Sequence, residues 1–237
     1  MTNLTQQMQA ALFCLVVLAP FAQASDVKNP DPYENFNRKS HAFNETLDKY
    51  IARPAAKIYT NTVPDPVEKG VVNFFSNLDE LTNIANSLLQ AKFGQAANDT
   101  GRFLINSTLG IGGLFDVAER AGLPKSEGED FGQTLGAWGV GEGPYLMLPL
   151  VGPSTLRDAP SKYIDSFANP VSELDDVSAR NSLRLLSLVS TRAELLGLDD
   201  VISGDSYLFV RDVYLQRREY LVNDGAIEDD FGDLDDY

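Results

Sequence analysis

Apolar residues recur along this chain at helical spacing. From Pro66 to Lys92, Leu78, Leu81, Ala85, Leu88 and Leu89 return every three or four positions, with Asp79, Asn83 and Asn86 between them, which predicts one long amphipathic helix. Further helices are expected from about Gln95 to Leu109, from about Val171 to Leu196 and from about Asp205 to Val222, where Tyr207, Val210, Tyr214 and Leu221 repeat on one face. Phe36, Phe43, Leu47 and Tyr50 mark a shorter helix, expected to stop at Arg53-Pro54 because proline lacks the amide hydrogen and clashes with the preceding turn. Strand-type alternation is almost absent. The expected fold class is therefore all-α, a single compact helical domain.

Two stretches interrupt this pattern. Phe103 to Phe115 (FLINSTLGIGGLF) and Gly143 to Leu156 (GPYLMLPLVGPSTL, with three prolines) carry no charge. Both are too short to cross about 30 Å of hydrocarbon. Both are also too apolar for ordinary surface loops, so they are buried against the helices or inserted part-way into lipid, burial being the plainer reading of either alone. Between them, Phe131 to Tyr145 places glycines at 132, 136, 139, 141 and 143 around Trp138, without the spacing of a phosphate cradle. It reads either as a tight loop around the tryptophan or as a narrow passage or hinge.

Charge narrows the possible partners. With 19 Lys+Arg against 34 Asp+Glu, the net charge is −15, and no three basic residues run together, which excludes nonspecific nucleic-acid binding and polybasic docking on anionic lipid. Any membrane contact must be made by apolar side chains. One Cys, Cys14, and one His, His41, leave no disulfide framework, multi-His zinc site or imidazole relay. GxSxG, GxxxxGK[ST], GxGxxG and EF-hand patterns are missing, so no enzyme, cofactor or metal is expected. Carboxylate pairs such as Asp175-Asp176 and Asp199-Asp200 read as helix ends rather than acid/base dyads.

The first 25 residues carry no charge; an apolar run from Ala10 to Ala19, broken by Pro20, precedes Ala22-Gln23-Ala24, the small-x-small pattern of a signal-peptidase site. Residues 1–24 are expected to be a signal peptide, 25–222 the helical domain and 223–237 an acidic, disordered tail, with seven acids between Asp224 and Tyr237. Phe13 before Cys14 and the apolar Leu15 to Leu18 after it do not fit a lipidation site.

Several long motifs in fixed order then carry a resemblance: DPYENFNR (Asp31 to Arg38), Phe43-Asn44, Tyr50 with Arg53-Pro54, Val63-Pro64 and NFFSNL (Asn73 to Leu78). RFLINSTLGIGGLFDVA (Arg102 to Ala118), FGQTLGAWGVGEGPYLMLPLVGPSTLRD (Phe131 to Asp158), TRAELL (Thr191 to Leu196) and YLFVRDVYLQRREYLVNDG (Tyr207 to Gly225) complete the set. The chain resembles the MlaA (VacJ) family from Asp31 to about Gly225.

The resemblance implies a ring-shaped, all-helical protein in the inner leaflet of the outer membrane, beside a trimeric porin. It implies an amphipathic channel through which misplaced phospholipids leave the outer leaflet for a periplasmic lipid-binding carrier. The expected channel or membrane-facing residues are Phe74, Phe75, Leu81, Leu88 and Leu89 of the long helix, Phe103, Leu109, Ile111, Leu114 and Phe115, and Leu146, Leu148 and Leu150. Gly136, Gly139, Gly141, Gly143 and Pro144 are expected at a hinge or channel mouth. Asn37, Phe43 and Asn44 are expected to gate the ring or to cap helices. Arg102, Asn106, Ser107 and Thr108, alternating with apolar neighbours, offer a two-sided lining. Arg157-Asp158 is expected as a structural ion pair, and Arg211, Arg217 and Arg218 on the outer face of the last helix. Many family members carry a lipidated cysteine directly after the signal, and the region around Ala24-Ser25 has none. A scaffold that binds porin without moving lipid is the alternative function.

Moving five large apolar side chains into hydrocarbon would stabilise insertion by roughly 8 to 15 kcal/mol, at about 1.5 to 3 each. Repulsion between an acidic body and anionic headgroups is screened within about 8 Å and is smaller.

Overall fold

The computed structural model describes residues 30–199 and 204–226. The expected signal peptide with Cys14, and the acidic tail beyond residue 226, lie outside the described residues.

Helix α1 (Glu34–Leu47) does not end at the proline. It widens into a π-helical turn, Asp48–Ala52, and continues as α2 (Arg53–Thr62), with Pro54 in the first turn of the new helix. Proline is tolerated there because a first-turn amide has no intrahelical acceptor. Arg192 holds the turn in place, its guanidinium 2.5 Å from Asp48 and 2.8 Å from Asp199. The long helix α3 (Asp65–Leu89) and α4 (Phe93–Thr108) follow their periodicity to within two or three residues. A single turn, α5 (Val117–Arg120), precedes α6 (Phe131–Ala137), α7 (Asp158–Asp165), α8 (Val177–Glu194) and α9 (Ser206–Val222). Asp130, Asp176 and Asp205 cap α6, α8 and α9 by accepting hydrogen bonds from first-turn amides.

Two corrections concern the glycine- and proline-rich region. The Phe131 to Tyr145 segment is not one loop: its first half is α6, ended by Trp138 and Gly139, whose φ of +85° suits a residue without Cβ. The second uncharged segment is an antiparallel hairpin, β1 (Tyr145–Leu148) paired with β2 (Gly152–Thr155) in the register Tyr145↔Thr155. The prolines hid it: Pro149 sits in the turn and Pro153 on β2, so the alternation is short and interrupted.

Packing closes on itself. Helix α1 lies on β1, β2 on α7 and α9, α7 on α6, α6 on α3, α3 on α8, and α8 on α2, which returns through the π turn to α1. The elements thus form a closed circuit of contacts.

The interior of this circuit is polar. Among the described residues only nine hydrophobic side chains are buried, three of them alanines, against twenty-one polar or charged ones. Phe131 with Leu135, and Tyr145 with Met147 and Tyr207, form two small apolar clusters. Ordinary soluble domains bury Ile, Val, Leu and Phe first and Asp, Glu and Arg almost never. Helix α3 shows the inversion most plainly: Asn77, Glu80, Asn86 and Ser87 are buried, whereas Leu88 and Leu89 are exposed. Its amphipathic pattern is as expected from the sequence, but the polar face points inward.

Candidate functional site

Burying charge is costly unless each group is paired and hydrogen-bonded. Two networks pair most of the buried charge. In the first, Arg102 on α4 lies 2.8 Å from Glu80 and 2.9 Å from Asp116 and donates to the Leu123 carbonyl at 2.7 Å. Asn106, one turn later, donates to Asp116 and accepts from the amides of Val117 and Ala118. In the second, Arg218 on α9 pairs with Asp130 and with Asp158 at 2.9 Å, and Asp158 also pairs with Arg157 and accepts from Tyr214.

These contacts settle several expectations. Arg157-Asp158 is an ion pair, as expected. Arg218 is internal rather than on the outer face, and Arg102 and Asn106 hold α4 to its neighbours rather than lining the cavities described below. Gly132 and Gly136 are required by closeness. A Cβ on Gly132 would overlap the Asp158 and Arg218 side chains, and one on Gly136 would lie 2.8 Å from Val222.

Between α3, α6, α7 and α8 lies a cavity of about 650 Å³, the size of a small-molecule site. Its wall carries Asp79, Glu80, Asn83, Glu129, Asp130, Gln133, Lys125, Lys162, Asp165 and Arg184. Asn169, Ser172 and Arg184 are shared with a second cavity of about 300 Å³, lined by Phe75, Val171, Leu183 and Leu188. A charged chamber and an apolar one therefore adjoin. Of the expected lining residues, Phe75 reaches this place, and Leu114 and Phe115 line a separate cleft of about 540 Å³ between α2, α3 and α8. The charged wall was missed in the sequence. Its signal was the repeat Asn77, Glu80, Asn83, Asn86 on α3, a stripe of short amides where a solvated face would carry Lys and Glu.

Burial pushes the Asp165 carboxyl up to about 6, although the Phe131 amide and Asn86 donate to it. A carboxyl that prefers its proton when folded weakens the fold once ionised, so this contribution to stability rises as pH falls from about 6 towards 4. Asp165→Asn keeps an acceptor without the charge. Its melting temperature relative to the native chain is expected to be higher at about pH 8 than at about pH 4, read by thermal unfolding at both.

The hairpin is held to α1 by two asparagines. Asn37 donates to the Tyr145 carbonyl at 3.0 Å and accepts from the Met147 amide at 2.9 Å; Asn44 does the same with Leu148 and Leu150 at 3.0 and 2.8 Å. The registers match: seven helical residues rise about 10.5 Å and three strand residues about 10 Å. The two amides thus cover the open edge of β1. Neither caps a helix, the plainer role expected from the sequence, and Phe43 between them is exposed.

The remaining expected residues lie outside. Phe103 and Leu81 are half-buried, and Leu146 and Leu148 lie on the less buried face of β1. Leu109, Ile111 and Leu150 are 71%, 66% and 77% exposed. Ile111 and Leu150 also adopt positive φ, +54° and +67°. Gly, Asn or Asp occupy that conformation at far lower cost than a branched apolar residue.

The fold is all-α apart from the small hairpin, and among the described residues its buried side chains are mostly polar while many large apolar ones are exposed. A family model described as "MlaA lipoprotein" matches residues 29–221, and the chain belongs to that family. It is 39% identical over 221 residues to the "Intermembrane phospholipid transport system lipoprotein MlaA" of Escherichia coli (strain K12), covering 86% of this chain and 88% of that protein. The protein of the same name from Haemophilus influenzae is 30% identical, covering 94% and 93%, and an "Uncharacterized protein" of Rickettsia felis is 41% identical, covering 80% and 76%. A solved structure reported under "Structural basis for maintenance of bacterial outer membrane lipid asymmetry" superposes with a TM-score of 0.73 at 39% identity, covering 81% of this chain and 99% of that one.

Proposed function

We propose that this protein is the outer-membrane component of an intermembrane phospholipid transport system. It sits in the inner leaflet beside a trimeric porin, takes mislocalised phospholipids from the outer leaflet through its ring, and passes them to a periplasmic lipid-binding carrier. The observation that carries this reading is the inversion, with an apolar belt outside and adjoining charged and apolar chambers inside. An amphiphile needs both linings, the charged one for its headgroup and the apolar one for its tails. No helix among the described residues is long and apolar enough to cross a membrane, which fits residence in one leaflet. The relatives' names supply phospholipid transport as the activity. A scaffold has no use for a cavity of about 650 Å³ walled by charge.

Deletion of the gene tests this. Surface-exposed phospholipid and detergent sensitivity are expected to rise, to fall again with the intact coding sequence, and to stay high with a folded Leu109→Asp variant. Normal outer-leaflet composition in the deletion strain overturns the proposal.

A further inference from the structure

The charged chamber contains both signs of charge outside any ion pair. Of its wall carboxylates, Glu80 pairs with Arg102, Glu129 with Lys92, Asp130 with Arg218 and Glu127 with Arg217, each through a cation outside the chamber. Asp79 and Asp165 make no ion pair within 4 Å. Neither do the chamber's cations: Lys125 donates to Ser76 at 3.0 Å, Lys162 to the Pro153 carbonyl at 3.0 Å, and Arg184 to Ser172 at 3.2 Å.

We infer that this chamber recognises a zwitterionic phosphoethanolamine headgroup, its phosphate taken by Arg184, Lys162 and Lys125 and its primary ammonium by Asp79 and Asp165. The inference rests on the lipid-passage reading above and adds the headgroup class. A primary ammonium carries three N–H donors, and the wall offers two carboxylates that make no ion pair within the protein. A choline headgroup has the charge but no N–H, and a glycerol headgroup has no cation at all. Arg184 stands where the charged and apolar chambers meet, which places the phosphate at the boundary and leaves the tails against Phe75 and Leu188. Burial pushes the Asp165 carboxyl up to about 6, so it is largely ionised at neutral pH and gains from a cation brought beside it.

Calorimetric titration of the purified full chain in detergent with dihexanoyl phosphatidylethanolamine, phosphatidylcholine and phosphatidylglycerol tests this. The ethanolamine lipid is expected to bind about tenfold more tightly than either other lipid, the equivalent of one well-made charged contact. Asp79→Asn, whose side chain makes no structural ion pair, is expected to erase that preference while cooperative thermal unfolding is retained. Arg184→Gln is expected to weaken all three lipids alike. Equal affinity for the three, or a preference that survives Asp79→Asn, overturns the headgroup assignment and leaves the passage standing. Binding of none of them contradicts the passage itself.

Discussion

Replacing Arg102 with alanine is expected to cost about 3 to 5 kcal/mol, because it strands two acids in the ring wall. Glu80 and Arg102 are each buried, 2.8 Å apart, and Asp116 and the Leu123 carbonyl take the rest of the guanidinium. A domain of ordinary stability has only about 5 to 15 kcal/mol in total, so loss of this one side chain removes a large share of it. Removal of the charges together is the control: Arg102→Met with Glu80→Leu and Asp116→Asn is expected to recover part of the loss, since no buried charge is left unpaired and the side-chain oxygen at position 116 still accepts from Asn106 and the Glu119 amide. Denaturant unfolding of the single and triple variants checks both. Equal instability in the two would mean that the network stabilises by hydrogen-bond geometry rather than by charge compensation.

The second large effect concerns the membrane and not the fold. Changing Ile111→Asp and Leu150→Asp together is expected to lower partitioning into vesicles about a hundredfold or more, as two large apolar side chains contribute roughly 3 to 6 kcal/mol on leaving water. The same double change is expected to leave unfolding unaltered or slightly improved. Both side chains are exposed, and Asp accepts positive φ more readily than Ile or Leu. An improved fold joined to lost membrane binding separates an apolar surface kept for lipid from one kept for packing. Vesicle flotation beside thermal unfolding reads the pair.

Much of the helical framework was legible because α3, α4, α8 and α9 each repeat their apolar residues over four or more turns. Which face turned inward was not legible. Periodicity gives an amphipathic direction but not the solvent on either side, and α3 buries its asparagines. The hairpin escaped for a different reason: its strands are four residues each, interrupted by prolines, and one edge is satisfied by Asn37 and Asn44, more than a hundred residues earlier. The charged chamber is likewise assembled from residues 76 to 221, a gathering that no local pattern reveals. Leu88, Leu89, Leu109, Ile111 and Leu150 are all exposed, which periodicity alone does not fix either.

The central claim is that this exposed surface is solvated by acyl chains, and the single tryptophan reports on it directly. Trp138 is 52% exposed, and its indole donates to the Leu89 carbonyl at 3.2 Å, so the side chain can enter hydrocarbon with no hydrogen bond unmade. In vesicles containing phospholipids brominated on the acyl chain, its fluorescence is expected to shift to the blue and to be strongly quenched. Emission that stays at its water-exposed position, unquenched by bromine at any depth, would contradict the account.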